Sequence, residues 1–522
     1  MRLVASRLAL SVVVLTLLGC APSKDSTPVA DQQEAASSTE RLTEADTTPK
    51  PPVTDPSDGF DPPPLAGETE AAAPAESPAV AEQSGEKAPS DQRPTPDPPP
   101  AAEEPEPAAL TRSPAAVEPS DEAATDPSAP FWPGFCGPHG NNVSTEAGLL
   151  KEWPEDGPAL LWTARGIGNG YSTASLAHGL IYTAGNIDGN TVVTALDLDG
   201  QARWQVPAGD AWTKDYPGTR STPTIDGNRL YYQNPLGELF CLTAATGEPV
   251  WRVQVLERFG AENIKWALAE SSVIDGDHVI STPGGPNTAV VALNKMTGET
   301  VWQSESAAGD AAGYSTPTLA EYQGKRLIFT MTAKAIICVD ADTGRLYWRF
   351  PHETSYDVNA SKPIFLDGHV FISTGYGAGS RMLRVSVDGD QVGVEEVWAN
   401  TDLDNHHGGV ILLDGYLYGS EDRRSWVCLD WKTGRTMYNE RGVGKGSLTS
   451  ADGMLYTLSE RGEMGLVPAT PDGHQVVSQF SLPPGGEGRS WAYPVVIGGC
   501  MYIRHGDYLF CYDVRDPAAE AR

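Results

Sequence analysis

The feature that most constrains the fold is an internal repeat. Each copy has an apolar strand, a turn that ends in Thr-Gly or a related pair, and a second apolar strand that carries an aromatic residue. The clearest copies run from Ala195 to Trp204, Cys241 to Trp251, Ala292 to Trp302, Cys338 to Trp348 and Cys428 to Tyr438, and weaker copies run from Val385 to Trp398 and Val467 to Phe480. The aromatic positions are 47, 51, 46, 50, 40 and 42 residues apart, a spacing typical of β-propeller blades.

A hairpin glycine recurs at a similar position relative to each copy of this repeat. It follows a short strand of small residues, as in the segment Ser221 to Gly227. The series comprises Gly179, Gly227, Gly276, Gly324, Gly368, Gly415, Gly453 and Gly499. Glycine readily takes positive φ, so Asp-Gly and Asn-Gly pairs favour tight hairpins between twisted strands. Eight hairpins predict an all-β, eight-bladed β-propeller of four-stranded antiparallel blades.

The last blade is one strand short. Residues 491–514 supply three strands, whereas an unassigned strand, Leu160 to Thr163, precedes the first repeat. Its Trp162 lies 42 residues before Trp204, in register with the other aromatic positions. We therefore predict that this N-terminal strand completes the eighth blade and leaves no long open edge. The propeller should span residues 159–516, and residues 131–158 should form a leader that packs on it.

The segment before the propeller has the composition of a disordered tether. Residues 21–128 contain 22 of the 43 prolines, 23 Asp and Glu, 6 Lys and Arg, and a single aromatic residue, Phe60. Such a segment cannot bury enough apolar surface to offset the entropy of ordering. We assign residues 20–130 to the tether. The formal net charge of the whole chain is −32, and the absence of a basic stripe argues against nucleic-acid binding.

The N-terminus reads as a secretion signal. Arg2 and Arg7 precede an apolar run from Leu8 to Leu18 that is too short to span a bilayer. Leu17-Leu18-Gly19-Cys20 resembles a bacterial lipobox, with residues 1–19 as signal peptide and Cys20 as the lipidated residue. The alternative is an ordinary signal peptide that happens to contain a cysteine. The lipobox predicts an exported protein on the periplasmic side of the outer membrane or at the cell surface, contacting the membrane through its lipid alone.

These repeats resemble the pyrroloquinoline-quinone-like (PQQ-like) propeller repeat family, whose tryptophan-docking motif is similar to Ala292 through Thr297-Gly298 to Trp302. The resemblance covers roughly residues 159–514. It assigns docking to Trp162, Trp204, Trp251, Trp302, Trp348 and Trp398. Segments around Trp132 to Asn142, Asn405 to Gly409 and Gly444 to Ser447 resemble BamB-like outer-membrane lipoproteins of planctomycete type.

Two kinds of function follow from the resemblance, and fold does not choose between them. The favoured one is a non-catalytic envelope scaffold or binding lipoprotein, a monomer without a cofactor that contacts cell-envelope proteins. The alternative is a periplasmic PQQ-dependent alcohol or sugar dehydrogenase, which would need PQQ, calcium and an Asp general base. A small-ligand or carbohydrate sensor is a third possibility. The chain has no vicinal cysteine pair and no Asp recognisable as the base.

Several polar or large residues stand just before or at the start of the predicted inner strands, and we expect them to converge at one mouth of the central channel. They are Tyr171, Arg220, Lys265, Trp266, Glu270, Tyr314, Asn359, Asn405, His406, His407, Lys445 and Trp491. Loops at such a mouth carry function on a rigid scaffold. One hypothesis is that these residues form a pocket in which Arg220, Lys265, Lys445 and the histidines bind an anionic ligand or a peptide carboxylate. The alternatives are that they are solvated loop residues, or that they form structural hydrogen bonds between blades.

No metal site is expected from the His406-His407 pair, because adjacent side chains of a strand point to opposite faces. The six cysteines after Cys20 also have structural explanations. Cys241, Cys338, Cys428 and Cys511 share one repeat position and should be packing thiols. A bridge between Cys136 and Cys500 is compatible with export but stays open.

Overall fold

Each sequence repeat forms one four-stranded sheet, and eight sheets build the propeller that the repeats predict. A computed structural model describes residues 129–519; the predicted signal peptide, Cys20 and the tether up to residue 128 lie outside the described residues. Two strands precede the repeats, β1 (Val143–Ser144) and β2 (Ala159–Ala164). Blades 1 and 2 contain β3 (Ser175–Ala177), β4 (Leu180–Ile187), β5 (Asn190–Asp197), β6 (Ala202–Asp210), β7 (Thr224–Asp226), β8 (Arg229–Gln233), β9 (Glu238–Thr243) and β10 (Pro249–Gln254).

The remaining blades follow the same plan. Blades 3 and 4 contain β11 (Val273–Asp275), β12 (His278–Ser281), β13 (Val291–Asn294), β14 (Thr300–Gln303), β15 (Thr318–Tyr322), β16 (Lys325–Met331), β17 (Ala335–Asp340) and β18 (Leu346–Pro351). Blades 5 and 6 contain β19 (Ile364–Leu366), β20 (His369–Thr374), β21 (Gly379–Asp388), β22 (Gln391–Asn400), β23 (Val410–Leu413), β24 (Tyr416–Ser420), β25 (Ser425–Asp430) and β26 (Thr436–Arg441). Blades 7 and 8 contain β27 (Gly446–Ala451), β28 (Met454–Ser459), β29 (Glu463–Pro468), β30 (Ser478–Ser481), β31 (Val495–Ile497), β32 (Cys500–His505) and β33 (Tyr508–Asp513).

The predicted closure of the ring is confirmed. Strand β2 pairs antiparallel with β33, so that Ala159 lies opposite Asp513 and Trp162 opposite Cys511. Blade 8 therefore has the order β2-β33-β32-β31 and combines the two ends of the propeller. The short strand β1 also pairs parallel with β27, which gives blade 7 a fifth strand.

Outer-strand tryptophans join five of the eight blades to the next one. The indole N–H of Trp302, for example, donates to Ala341 O at 3.1 Å. A Cβ atom on the turn glycine of the following blade would lie only 2.4–2.9 Å from the indole. These pairs are Trp162 with Gly200, Trp204 with Gly247, Trp251 with Gly298, Trp302 with Gly344, and Trp398 with Gly434. Trp348 differs: its buried indole nitrogen has no partner in the described residues, because blade 5 carries a degenerate turn at Gly389.

Hydroxyl groups tie the inner strands together around the axis. Several backbone N–H groups at the entry to an inner strand donate to a Ser or Thr hydroxyl in the next blade. The contacts are Tyr493 to Thr173 at 3.1 Å, Thr173 to Thr222 at 3.2 Å, Thr222 to Ser271 at 2.9 Å, and Ser271 to Thr316 at 3.0 Å. The small polar residues of the Ser-Thr-Pro pattern thus connect blades, in addition to fitting the crowded axis.

The leader lies across one end of the channel. Its residues 133–142 line a cavity of about 460 Å³ together with inner-strand residues of blades 2 to 7. Ile225 N donates to Pro133 O at 2.7 Å, and the half-buried Lys362 ammonium donates to Gly140 O at 2.8 Å. The Phe135 ring lies 5.0 Å from that of Tyr493. The leader therefore lies over the hairpin ends of several inner strands, and we call the opposite end of the channel the open mouth.

The cysteines outside this leader behave as packing residues. Cys241, Cys338, Cys428 and Cys511 are all buried in third strands of their blades, and every cysteine of the described residues is a free thiol. The open question of a Cys136–Cys500 bridge is thereby answered for this structure: it is not formed. The short helix α1 (Val255–Phe259) is far below bilayer length, and nothing in residues 129–519 forms a helix able to span a membrane.

Candidate functional site

The open mouth is built by two sets of loops. One set leads into the inner strands, and the other joins the second strand of a blade to the third. Both sets end at the same side of the ring because each antiparallel strand reverses the direction of the chain. Tyr171 and Trp491 come from the first set, whereas Glu460 and Asp422 come from the second.

Aromatic rings follow one another around this mouth. We call this series the aromatic belt; it comprises Tyr171, Trp491, His407, His406, Tyr376, Tyr356, Trp266 and Tyr314, in spatial order. The centroids of successive rings lie 4.6–6.5 Å apart. Arg220 stands between the two ends of the belt, with its guanidinium 5.6 Å from the Tyr171 centroid and in electrostatic contact with Tyr314.

A lysine holds one side of the mouth together. Lys445 Nζ donates to Asp422 Oδ1 at 2.5 Å and to His406 Nδ1 at 2.7 Å, and it lies 3.7 Å from Glu460 Oε1. Tyr376 Oη lies 2.7 Å from the other ring nitrogen of His406. The prediction that Lys445 binds an anionic ligand needs correction, since Lys445 is already paired with carboxylates of the protein.

Glu460 connects this side to the aromatic belt. Its Oε1 atom accepts hydrogen bonds from His407 Nε2 at 2.7 Å and from Trp491 Nε1 at 2.8 Å. Burial alone would raise the pKa of Glu460, but the bond from His407 and the nearby charge of Lys445 bring it well below the usual value. Glu460 is therefore a carboxylate across the physiological range of pH.

The paired histidines are neutral for a related reason. Burial lowers the pKa of His406 well below its usual value, and the neighbouring His407 and Lys445 lower it further. Burial also lowers the pKa of His407, against the opposing effect of Glu460. The expectation that these side chains point to opposite faces is wrong. They lie in a loop before β23 instead of in a strand, and their ring centroids are 4.6 Å apart.

Three of the predicted residues are buried and bonded within the protein. Asn359 Nδ2 donates to three backbone carbonyls, and its Oδ1 accepts from Thr374. Asn405 Oδ1 accepts hydrogen bonds from Ser361 Oγ and Gly409 N, and its Nδ2 donates to Gly409 O. Glu270 accepts from Gln233, Ser281 and Thr282, and its Oε2 atom has no partner among the described residues. These side chains bind neighbouring segments of the ring.

The basic residues differ in exposure. Lys265 is exposed, with its ammonium 4.5 Å from the centroid of Trp266. Arg220 is partly buried, and it donates to Gly218 O at 3.0 Å and to Tyr216 O at 2.8 Å. No carboxylate of residues 129–519 forms an ion pair with Arg220. Burial lowers the pKa of its guanidinium.

Sequence analysis missed several residues of the mouth. They are Tyr216, Tyr356, Tyr376, Asp422, Glu460, Arg461 and Arg489. Tyr376, Asp422, Glu460 and Arg461 lie in loops between second and third strands. Predicted strand order would have identified those positions, because such loops share a face with the loops that enter the inner strands. Tyr216, Tyr356 and Arg489 precede inner strands as the predicted residues do, so the same criterion could have included them.

Metal binding depends on which oxygens and nitrogens are free. Within the described residues, one group of at least three His, Cys, Asp or Glu ligands is close enough for an ion: His406, His407 and Glu460, whose ligand atoms lie within 4.8 Å of one another. The Lys445 ammonium already lies beside this group and supplies a positive charge. A divalent ion would have to displace it or accept its repulsion.

The oxygen donors discussed above do not fit the calcium site that the dehydrogenase alternative needs. Calcium prefers several carboxylate and carboxamide oxygens together. Asn359 and Asn405 use their amide oxygens within the protein. Glu460 and Asp422 are bound to basic or N–H donors, and Glu270 belongs to no group of three or more His, Cys, Asp or Glu ligands within the described residues.

Comparisons with known proteins support the fold. Residues 189–440 match a family model described as "Outer membrane protein assembly factor BamB", which confirms the resemblance to PQQ-like propeller repeats in this part of the chain. No curated protein matches the chain significantly.

Solved structures that are similar to this chain include proteins of different kinds. BamB from Moraxella catarrhalis is 15% identical, with 68% of this chain and 97% of that chain covered and a TM-score of 0.49. A quinohemoprotein alcohol dehydrogenase from Comamonas testosteroni is 12% identical, with coverages of 74% and 80% and a TM-score of 0.54. A second such dehydrogenase, from Pseudomonas putida HK5, is 13% identical, with coverages of 74% and 80% and a TM-score of 0.51. At these identities the similarity concerns the fold alone.

Proposed function

We propose that this chain is a non-catalytic, BamB-like binding lipoprotein of the cell envelope, which contacts a protein or a small ligand through its open mouth. One observation carries the proposal. The two ends of the channel are unlike: the leader lies across one, where it encloses a cavity with the inner strands, whereas the aromatic belt and its charged groups surround the other. Aromatic side chains with polar atoms are well suited to recognition, since they combine large contact areas with few rotatable bonds.

The sequence supports an envelope location. The lipobox-like segment ending at Cys20 and the acidic, proline-rich residues 21–128 fit a protein held on the periplasmic side of the outer membrane or at the cell surface. A tether of that length would give the propeller a reach of tens of ångströms. Its expected partners are therefore other components of the envelope.

The dehydrogenase alternative has weaker support. Its structural relatives share the fold at 12–13% identity, and several mouth oxygens that calcium could use are already hydrogen-bonded within the described residues. Titration of the purified full chain with PQQ and Ca²⁺ tests this directly. We expect no bound chromophore and no substrate-dependent dye reduction. Stoichiometric quinone binding with dye reduction would replace the binding role by the enzymatic one.

The binding role is tested by capture from detergent-solubilised envelope. The full chain is compared with Tyr216→Ala/Tyr356→Ala, which removes two half-exposed rings of the mouth. The matched control is Val301→Ala/Val397→Ala, which truncates two similarly exposed side chains on outer strands.

Support requires a component that the wild type and the control retain and the mouth variant loses. Equal retention by all three proteins, or no specific component with the wild type, would contradict the proposal. Thermal melts of the three proteins show whether each is folded.

A further inference from the structure

We infer that the mouth binds an acidic carbohydrate in a pocket formed by Tyr171, Tyr216, Glu460, Arg461 and Arg489. This inference rests on the proposed binding role and names the ligand chemistry. The pocket has a volume of about 460 Å³ and is also lined by Gly488, a size in the range of small-molecule sites.

The first argument is an excess of unpaired positive charge. Arg461 and Arg489 line the pocket and are exposed. Neither guanidinium has a hydrogen-bond acceptor or ion-pair partner within residues 129–519. The acidic residue of the lining, Glu460, is occupied by His407 and Trp491. Two free guanidiniums in a chain with a net charge of −32 mark a local preference for an anion.

Arg220 adds a third cation at the back of the pocket. It lies against Tyr171 and donates to the carbonyl of Tyr216, so it touches two lining residues. Its two bonded nitrogens contact neutral carbonyls. A partly buried guanidinium without a counter-ion gains strongly from a carboxylate, because hydrogen bonds between charged partners are about twice as strong as neutral ones.

The second argument comes from the ring faces. Trp491 lies 4.8 Å from Tyr171 and 5.1 Å from Tyr216, centroid to centroid. The Tyr216 side chain remains 46% exposed. The faces of aromatic rings carry partial negative charge, and the C–H face of a pyranose ring carries partial positive charge. A sugar can therefore stack on the exposed Tyr216 ring while its polar groups reach the rim.

The third argument is the mixture of donors and acceptors. Sugar hydroxyls donate and accept, and the pocket offers guanidinium donors beside the Glu460 carboxylate. The bonds from His407 and Trp491 both end on Oε1 of Glu460, so a hydroxyl can donate to Oε2. A peptide that adds to a sheet needs an open strand edge. All the lining residues lie in loops outside the strands, so the pocket provides no such edge. A carbohydrate with a carboxylate satisfies the charge, the ring faces and the hydroxyl partners together.

Calorimetric titration of the purified full chain tests the inference with three probes. The first is a galacturonic acid tetramer, the second is the neutral galactose tetramer with the same linkage, and the third is a tetraglutamate peptide. We expect the acidic sugar to bind at least tenfold more tightly than either of the others. We also expect its affinity to fall as salt increases.

Substitutions assign the charge recognition to the pocket. Arg461→Gln and Arg489→Gln should each weaken binding of the acidic tetramer roughly tenfold or more. Arg220→Lys keeps the charge but loses the forked donor geometry, and it should also weaken binding. Arg252→Gln is the control, since this arginine is 73% exposed on the outer strand β10.

The outcomes separate this inference from the proposed function. Equal binding of the neutral tetramer, or unchanged affinity in the arginine variants, would overturn the acidic-sugar assignment. Tighter binding of the peptide would overturn it in favour of a protein ligand. If no sugar binds but envelope capture still depends on Tyr216 and Tyr356, the proposed binding role is supported and the assignment of a carbohydrate ligand is wrong.

Discussion

At the scale of single residues, hydrogen bonds around His406 determine where its proton lies. The Lys445 ammonium can only donate, so His406 Nδ1 must accept. A neutral His406 then carries its proton on Nε2 and donates it to Tyr376 Oη. The hydroxyl proton of Tyr376 consequently remains available to a ligand at the mouth. The assignment follows from the partners of each atom.

Another histidine should make stability depend on pH. His474 stacks on Trp426 with a centroid distance of 5.3 Å and an angle of 2°. Burial lowers its pKa to about 4, below the value near 6.5 of an exposed histidine. On acidification the unfolded chain therefore takes up a proton first, and the free energy of unfolding should fall between about pH 6.5 and 4. This residue should contribute up to roughly 3 kcal/mol of that loss.

The His474→Phe variant tests this effect, because it keeps a stacking ring without the titrating group. Urea unfolding at pH 7 and pH 4.5 should show a smaller loss of stability for the variant than for the wild type. An unchanged pH slope in His474→Phe would show that other groups dominate; His352, whose pKa burial also lowers to about 4, is the next to test.

Residues of the site were only partly accessible to sequence analysis. Position before an inner strand correctly identified Tyr171, Arg220 and Trp491 as neighbours. It could not show that Lys445 is paired with Asp422, because that contact joins two blades in three dimensions. The histidine prediction failed because the loop conformation replaced the assumed strand geometry.

At the scale of elements, blade contacts depend on the fit between a tryptophan and a glycine. Gly344 has φ +77°, and a Cβ there would lie 2.5 Å from Trp302. Gly276 has a comparable φ of +58° but no atom within 4 Å of its added Cβ. Gly344→Ala should therefore destabilise more than Gly276→Ala, by roughly 1–3 kcal/mol, since only the former displaces a packed ring.

Urea denaturation of these two variants and the wild type measures the difference. Both substitutions place alanine at positive φ, so the backbone penalty is shared. Equal destabilisation would mean that the indole moves aside without cost, and that its contact with the glycine contributes little to blade docking.

The inner hydroxyls provide a second test between blades. Thr316 is buried, and its Oγ1 accepts from Ser271 N at 3.0 Å. Thr316→Val preserves the shape but leaves that N–H without a partner, which should lower the free energy of unfolding by roughly 1–3 kcal/mol. The control is Thr300→Val, at an exposed position of β14. Thermal unfolding measures the stability of both variants. No difference between the two variants would contradict the role of the hydroxyl.

Element order was largely predictable from sequence. The hairpin glycines and aromatic positions located every blade, and Trp162 located the closing strand. The parallel strand β1 was not predicted, because two residues carry no periodic pattern. The docking partner of Trp348 could not be judged either, since the turn of blade 5 departs from the repeat.

At the scale of the whole molecule, closure by β2 should be necessary for a stable ring. A variant that lacks residues 1–164 loses β2 and exposes the edge of β33. A variant that lacks residues 1–158 keeps β2 and loses only the leader and the preceding segments. We expect the variant that lacks residues 1–164 to melt several degrees lower than the variant that lacks residues 1–158, and to aggregate through the open edge of β33.

Differential scanning calorimetry and size-exclusion chromatography compare these variants with a protein that lacks residues 1–128. If the variants that begin at 159 and 165 behave alike, strand β2 is not what keeps the ring closed. If loss of the leader alone is as harmful as loss of β2, the contacts of residues 132–142 are the main closure.

Because Ala159 lies opposite Asp513, the beginning and end of the propeller meet inside one blade. Circular permutation is therefore geometrically simple. A rearranged gene could join these ends through a short linker and open the chain at the exposed hairpin Gln323-Gly324, with all eight sheets still encoded. Which blade comes first along the polypeptide is then a matter of ancestry, and the ring itself has no preferred starting point.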